Sequence, residues 1–230
     1  MVLRLAVYAT PRAGTEWHRL STEWMGYDPV TGRSGRRSAV LGAQELRDLT
    51  ATAATYGFHA TLRSPFRLAD GVEVADVLAA VERAAASLAA MAPRLTIGRI
   101  GGFAAFVPQA GRHGLAAVER VCVTELDRCV RPLDDDELAR RRRTGLTPRQ
   151  DELLVRWGYP YVLEEFRYHM TLTRRLDDGE ADRVLDAARA HFGVLDGAAF
   201  PLDDLVVLTQ TDGGPFVELL REPLARVLPD

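Results

Sequence analysis

Lysine is absent from this chain of 230 residues, and all 29 of its basic residues are arginine. A P-loop phosphate site, a Schiff-base enzyme and a ligase that forms a lysyl adenylate each need a lysine side chain. The sequence therefore excludes all three classes. The formal net charge of −3 also argues against broad nucleic-acid binding, although a local arginine patch is compatible with it.

Cysteines are few, and long apolar runs are missing. Cys122 and Cys129 lie seven residues apart in one expected helix. Their Cα atoms would then be about 10 Å apart, too far for a disulfide. We expect free buried thiols, no metal site and no cofactor. No apolar run reaches the roughly 18 residues of a membrane span, and residues 1–8 do not resemble a signal peptide, so we expect a cytoplasmic protein.

What the chain does contain is one short pattern twice, once in each half. His59-x-Thr61-Leu lies in the first half and His169-x-Thr171-Leu in the second, each among residues that favour strands. Strand side chains alternate between two faces, so each His shares a face with its Thr. A lone half-buried His is usually structural, but two copies with a hydroxyl at the same offset favour a functional site.

Two further repeats accompany these tetrads. Arg-Leu-x-Asp-Gly and then a helical pattern follow each tetrad, at residues 67–71 and 175–179. A Gly-Gly pair between apolar runs, typical of a hairpin turn, comes later in each half, at residues 101–102 and 213–214. Three coincidences in the same order indicate a duplicated unit.

Local signals predict the other elements. An alternating pattern predicts a strand at 3–9 whose Tyr8 faces away from the core. Asp70 and Glu73 read as a capping box before an amphipathic helix, and residues 147–150 begin another helix. Hairpins are expected at 95–107 and 205–220, helices at 17–25, 41–52, 111–130 and 180–192, a solvated connector helix at 131–146, and a loosely packed tail at 223–230.

Two imidazoles and two hydroxyls suit in-line phosphoryl transfer without a metal. One neutral His can take a proton from the attacking oxygen, while the other, protonated, gives one to the leaving oxygen. The hydroxyls of Thr61 and Thr171 can donate to the non-bridging phosphate oxygens, where negative charge accumulates.

Further substrate-binding candidates flank the tetrads. Arg63 falls on the face of the first His if its strand stays regular, and Thr173 and Arg175 fall on the face of the second. An arginine there would offset phosphate charge; the alternative is that either arginine ends its strand in solvent. The aromatic candidates to line a pocket are Tyr8, Trp17, Tyr56 and Tyr161.

The paired His-x-Thr-Leu motifs resemble those of the 2H phosphoesterase superfamily, which includes 2′,3′-cyclic nucleotide phosphodiesterases and 2′–5′ RNA ligase-like proteins. Residues 56–68, 146–150, 156–161 and 165–173 look like one branch of unassigned function, encoded beside phosphonate-degradation operons. The resemblance covers nearly the whole chain. It implies an α+β fold of two pseudo-symmetric lobes, each an antiparallel sheet with flanking helices, around a central cleft, and catalytic roles for both tetrads.

On this basis we expect one bilobal domain over 1–230: lobe one at about 1–110, connecting helices at about 111–157 and lobe two at about 158–230. The expected partner is a small phosphorylated substrate, and the expected activity is metal-independent opening of a ribose or nucleoside cyclic phosphate, in phosphonate metabolism. The alternatives are processing of RNA 2′,3′-cyclic ends, reversible 2′–5′ RNA ligation, or non-catalytic binding of a phosphometabolite. RNA is the less favoured partner, no membrane partner is expected, and the sequence does not set the oligomeric state.

Overall fold

The computed structural model of the protein describes residues 2–225. Strands and helices are numbered in chain order. The strands are β1 (Leu3–Ala9), β2 (Tyr27–Asp28), β3 (Arg33–Ser34), β4 (Ala60–Phe66), β5 (Leu95–Ile100), β6 (Phe103–Pro108), β7 (Met170–Arg175), β8 (Asp204–Thr211) and β9 (Val217–Pro223). The helices are α1 (Glu16–Met25), α2 (Ala43–Ala54), α3 (Val74–Ala86), α4 (Arg112–Glu125), α5 (Asp135–Arg142), α6 (Pro148–Trp157) and α7 (Asp178–Phe192).

Seven of the described strands form one antiparallel sheet in the order β5-β6-β7-β4-β1-β8-β9. Strands β2 and β3 form a separate two-stranded ribbon. A large antiparallel sheet with seven described helices confirms the α+β class. The expected pseudo-symmetry of two lobes stays a prediction.

Each long hairpin pairs with a strand from the other half of the chain. The β5–β6 hairpin lies against β7, and the β8–β9 hairpin lies against β1. The sequence interpretation had grouped each hairpin with its own half, and the strand order differs from that grouping. Both halves of the chain therefore build both sides of the sheet, and the two tetrad strands β4 and β7 meet at its centre.

The main hydrophobic core covers one face of the sheet. Alternate residues of β1, Leu5, Val7 and Ala9, enter this core, where they meet apolar residues of α1, α2, α3, α4 and α7. Burial of these apolar side chains is the main source of stability for the sheet. Trp24 of α1 also donates a hydrogen bond of 2.9 Å to the carbonyl of Leu172, which fixes α1 against β7.

A second, smaller cluster lies on the opposite face. It contains Ala6 and Tyr8 of β1, with Val206, Leu208 and Phe216. The prediction that Tyr8 faces away from the main core is confirmed, although its ring is buried in this second cluster rather than exposed.

Most of the predicted elements are confirmed to within a few residues, with two informative differences. The capping box of α3 uses Glu73 and Asp76, whose carboxylate accepts from the Glu73 N–H at 2.8 Å, and not Asp70 with Glu73. The strand of the second tetrad, which the sequence predicts at about 165–174, corresponds to β7 and begins only at Met170. Residues 226–230 of the expected tail lie outside the described residues.

The cysteines and the apolar runs agree with expectation. Cys122 and Cys129 are both buried free thiols. Among the residues that the structure describes, none of the helices is long and apolar enough to cross a membrane.

Candidate active site

The two tetrads meet where β4 and β7 pair. The only registered pair between these strands joins Ala60 to Met170 in antiparallel orientation. In this register, the residues on either side of the pair also lie opposite each other: His59 beside Thr171, and Thr61 beside His169. The two histidines, His59 and His169, are therefore diagonal neighbours across the two strands. Diagonal neighbours in an antiparallel pair lie about 7–8 Å apart, a distance that one phosphate with a hydrogen bond on each side can bridge.

The imidazoles and hydroxyls lie on the face opposite the main core. Thr61 pairs with Tyr8, and the ring of His59 stacks on that of Tyr8, with centroids 3.9 Å apart and planes 22° apart. On the other face, the three alternate residues Phe58, Ala60 and Leu62 belong to the main core. This confirms the alternation predicted for the first tetrad.

Both histidines make the same local contact. Nδ1 of His59 lies 2.9 Å from the carbonyl oxygen of Gly57, and Nδ1 of His169 lies 2.6 Å from that of Arg167. A carbonyl only accepts, so each Nδ1 carries the proton in the neutral ring. Nε2 is then the nitrogen that can accept a proton, or donate one once the ring is charged.

Gly57 is needed for the turn that aims the first histidine. Its φ is +71°, in the left-handed region that favours glycine, and a Cβ there would lie 2.7 Å from a side-chain carbon of Pro29. The equivalent position before the second tetrad is Arg167, so only the first turn depends on glycine.

The two histidines differ in acidity. Burial is the main cause that lowers the pKa of His59 to about 4; the contact with the Gly57 carbonyl opposes it in part, and the nearby charge of His169 adds a smaller lowering effect. Burial also lowers the pKa of His169, opposed by the Arg167 carbonyl. Both rings are therefore neutral at pH 7 in the free protein, and His59 holds its neutral form over the wider range.

An open cleft of about 560 Å³ runs beside these groups. Thr61, His169 and Thr171 line it directly, and Tyr8 and His59 lie next to Thr61. The tip of the β5–β6 hairpin also lines the cleft, at what we call the hairpin end, and so does the segment after α6. Pockets of 300–1,000 Å³ are typical of small-molecule sites.

Arg63 does not lie on the face of His59, which corrects the expectation from alternation. Thr61 pairs with Tyr8, but the next pair along β1 joins Val7 to Arg63, so Leu62 is an extra residue in β4. Such a bulge turns the following side chain to the other face. Arg63 is 1% exposed, and its three guanidinium nitrogens have no hydrogen-bond partner among the described residues.

Thr173 leaves the cleft face for a similar reason. The pairing of β6 with β7 shifts between Ala105–Thr171 and Phe103–Arg175, which leaves extra residues in β7. Thr173 is buried there, and its hydroxyl accepts the N–H of Ala104 at 3.1 Å. Thr173 therefore completes a backbone hydrogen bond where the ladder is irregular and does not line the cleft.

Arg175 does line the cleft, at the hairpin end. Its guanidinium carbon lies 5.2 Å from the ring centre of Phe103, and a Cβ on Gly102 would lie 2.9 Å from one of its nitrogens. Stacking on an aromatic ring fixes the guanidinium while its N–H groups stay free to donate. The position suits a contact with an anionic group of a ligand.

The aromatic candidates separate into three environments. Tyr8 and Tyr56 lie 3.9 and 5.9 Å from the ring of His59, between centroids. Tyr161 lines the cleft. Trp17 is buried in the main core and donates to the carbonyl of Ala199 at 3.1 Å, so it lies outside the site.

Glu119 is a cleft residue that sequence reasoning missed. It lies on α4 with 2% exposure and lines the cleft. Burial raises the pKa of its carboxyl to about 7, opposed by the Leu163 N–H and the charge of Arg63. The signal in the sequence was its position four residues after Leu115, on the apolar stripe of the helix, where a charged residue is unusual.

Metal-binding clusters are lacking in the described part of the chain. Among residues 2–225, no group of three or more His, Cys, Asp or Glu side chains is arranged to hold a metal ion. The expectation of metal-independent chemistry stays a prediction.

Residues 61–217 match the family described as "Protein of unknown function (DUF1045)". Two curated relatives are each named "Ribose 1,5-bisphosphate phosphokinase PhnN". The one from Janthinobacterium sp. (strain Marseille) is 36% identical over 96% of this chain and 51% of its own length. The one from Laribacter hongkongensis (strain HLHK9) is 36% identical over 95% of this chain and 51% of its own. The chain thus spans about half the length of these relatives.

Two solved structures show a distant likeness. One, titled "Crystal structure of phosphoesterase", has a TM-score of 0.45 at 12% identity and covers 98% of this chain and 99% of its own. The other, the conserved protein of unknown function ATU0111 from Agrobacterium tumefaciens str. C58, has a TM-score of 0.44 at 12% identity and covers 96% and 86%. At these scores the likeness supports no conclusion about function.

Proposed function

The chain belongs to the family described as "Protein of unknown function (DUF1045)", and from that premise we propose that it is a phosphodiesterase. It opens a small cyclic phosphodiester, a ribose or nucleoside cyclic phosphate, by paired-histidine acid and base catalysis without a metal. The observation that carries the proposal is the meeting of both His-x-Thr units at the Ala60–Met170 pair beside one cleft.

The different acidities of the two histidines assign their roles. His59 has the pKa lowered to about 4, so it stays neutral at working pH and is the general base. His169 is the general acid, because its pKa is lowered less and a bound phosphate anion raises it again. Nε2 is the reacting nitrogen in both rings, since each Nδ1 is held by a carbonyl.

The bond changes follow from these roles. Nε2 of His59 takes a proton from a water molecule, whose oxygen forms the new bond to phosphorus. The bond from phosphorus to one ring oxygen breaks, and His169 gives its Nε2 proton to that oxygen. The product is a phosphomonoester with one new hydroxyl. Thr61 and Thr171 donate to the non-bridging oxygens while their charge increases.

The relatives support a ribose substrate. Their printed name attributes to the whole protein the phosphorylation of ribose 1,5-bisphosphate. P-loop kinases need a lysine for their phosphates, and this chain has none. We infer that the matched half performs a different step on the same class of molecule. Opening a cyclic ribose phosphate would supply such a kinase with a ribose bisphosphate when the sugar carries a second phosphate. A role in phosphonate metabolism stays a prediction.

The RNA alternatives and the non-catalytic alternative have less support. A cleft of about 560 Å³ matches a small ligand, and the net charge of −3 does not favour a polyanion. Nothing specific to the described residues favours RNA ends over a free cyclic phosphate. Retention of both imidazoles and both hydroxyls argues against a purely binding role.

A substrate screen in EDTA tests the proposal. Purified protein is incubated with cyclic ribose phosphates, 2′,3′-cyclic nucleotides and an RNA 2′,3′-cyclic end, and the phosphorus NMR signal of each is followed. We expect the ribose or nucleoside cyclic phosphate signal to be replaced by that of a phosphomonoester. Turnover of the RNA end alone would favour the RNA alternative. Activity that is lost in EDTA and restored by a divalent ion would contradict the metal-free mechanism.

A further inference from the structure

One carboxylate of the cleft has no part in the proposed chemistry. Glu119 is buried and lines the cleft together with Thr61 and Ser64 of β4. Both of its oxygens accept from the same donor, the N–H of Leu163, at 3.2 and 3.1 Å. The carboxylate is thereby held in one orientation in the cleft that Thr61 also lines.

Burial raises the pKa of Glu119 to about 7, so its carboxyl is partly ionised near neutral pH, and the ionised form is a poor neighbour for a phosphate. Two like charges repel strongly in a partly desolvated site, so an anionic group of the substrate would avoid direct contact with Glu119. The charge of Arg63 partly offsets that of the ionised Glu119. None of the nitrogens of Arg63 forms a hydrogen bond, so Arg63 occupies no lone pair of the carboxylate.

Glu119 has unused hydrogen-bonding capacity. An ionised carboxylate has about four lone-pair directions. Within residues 2–225, the Leu163 N–H is the one hydrogen-bond donor to this side chain. A group that enters the cleft and meets these lone pairs while Glu119 is ionised must donate a hydrogen and carry no negative charge. A sugar hydroxyl satisfies both conditions, and acidic side chains bind ribose hydroxyls in this way in dinucleotide-binding folds.

We propose that Glu119 binds a free hydroxyl of the substrate's sugar, next to the reacting phosphate, and so selects hydroxylated sugar phosphates. The inference rests on the proposed function and adds a specificity determinant to it. The contact with Glu119 also orients the ligand. The charge of Glu119 repels further phosphate groups of the substrate, so they lie towards the hairpin end, where Arg175 lines the cleft. Glu119 thus contacts a part of the substrate that does not react.

A purely structural role for Glu119 predicts a different result. Leu163 has a φ of +56°, an unusual conformation for a residue that is not glycine, and the hydrogen bond that its N–H donates to Glu119 helps to hold it. Loss of that support would disturb the cleft wall and weaken every ligand to a similar extent. Loss of a hydroxyl contact weakens only the ligand that carries the hydroxyl.

Ligand binding measured by NMR titration separates the two roles without any need for turnover. The full chain is titrated with ribose 5-phosphate and with methyl phosphate, which has the phosphate but no sugar hydroxyl. The variants are Glu119→Gln and, as the matched control, Glu152→Gln, an exposed residue paired with Arg149 outside the cleft. We expect Glu119→Gln to weaken ribose 5-phosphate by about 10–100-fold and methyl phosphate by less than about twofold, and Glu152→Gln to change neither.

Several results would overturn the inference. Equal weakening of both ligands by Glu119→Gln would assign a structural role, and unchanged binding of both would remove Glu119 from the ligand contacts. A wild-type protein that binds methyl phosphate as tightly as ribose 5-phosphate would do the same. If Glu119→Gln does not fold, Glu119→Asp carries the comparison, because it keeps the charge but withdraws the oxygens. Absence of turnover on cyclic phosphates overturns the proposed function and leaves this comparison of binding intact.

Discussion

The two His-x-Thr tetrads have the same internal geometry but different surroundings. In both, Nδ1 contacts the carbonyl two residues earlier. His59, however, stacks on Tyr8 and follows a turn that needs Gly57, whereas His169 lines the open cleft. The shared contact leaves Nε2 as the free nitrogen of each ring. The different burial separates their acidities, which agrees with the proposed roles of base and acid in one step.

The largest expected effect tests whether both histidines are catalytic. His59→Ala and His169→Ala should each lower kcat on a cyclic phosphate by about 10²–10⁴-fold, the size expected for loss of a general base or acid. Thermal unfolding of each variant serves as the control for an intact fold. Full activity in either variant would show that this histidine is not catalytic and that the two tetrads do not act as a base and acid pair.

The threonines should contribute less than the histidines. Thr61→Val and Thr171→Val each remove one donor to the non-bridging oxygens, so we expect kcat to fall by about 10–10³-fold. The two losses should be of similar size, since the register sets the hydroxyls at equivalent places around the Ala60–Met170 pair. A loss confined to one variant would show that the tetrads are not equivalent in oxyanion binding.

The stacked tyrosine should set the acidic limb of the pH profile. For kcat/KM, activity rises as pH rises through the pKa of the base, about 4 for His59, and falls as pH rises through the pKa of the acid, His169, which lies below its usual value. Tyr8→Leu removes the stacked ring and opens His59 to water, so the acidic limb should move to higher pH. The alkaline limb should stay in place. Movement of the alkaline limb alone would reverse the two assigned roles.

The difference in pKa between the two histidines should also appear in the pH dependence of the free energy of unfolding. The folded-state pKa of His59 lies below its unfolded value of about 6.5, so the folded state binds fewer protons, and stability is lost as pH falls from about 6.5 towards 4. His59→Gln should lose less stability than wild type between pH 7 and pH 5 in urea unfolding. His169→Gln should reduce this loss to a smaller extent. An unchanged pH dependence in His59→Gln would contradict the lowered pKa.

The smallest effect on activity is expected for the substitution of Thr173. Thr173→Val leaves the buried N–H of Ala104 without its 3.1 Å acceptor, so the free energy of unfolding should fall by about 1–3 kcal/mol. Because Thr173 does not line the cleft, kcat/KM should change by less than about threefold. A large loss of kcat/KM with unchanged stability would place Thr173 in the site after all.

The sequence alone was sufficient for most of the local structure and for the faces of the first tetrad. Alternation set His59 and Thr61 opposite Phe58, Ala60 and Leu62, because this part of the chain keeps the period of two. The turn at Gly101-Gly102 was also readable, since both glycines adopt positive φ values. These features depend on neighbours in the sequence.

Features that depend on distant pairing were not predictable in the same way. The alternation rule fails at Arg63 and Thr173 because each follows an irregularity in strand pairing, four residues after its histidine. No single-strand pattern signals such a bulge. Each hairpin pairs with a strand from the other half of the chain, and this strand order likewise cannot be read from the pattern of a single strand. Glu119 enters the cleft because α4 packs against β4, a contact between elements distant in the sequence.

The central claim is that the two tetrads act together in one step, and a double variant tests it most directly. The kcat of His59→Ala/His169→Ala is measured beside both single variants on the cyclic phosphate that wild type opens fastest. Residues that act as a unit have non-additive effects, so the double variant should be within about tenfold of the slower single variant. Losses that multiply in full would contradict the claim, because they would show that the two histidines act independently.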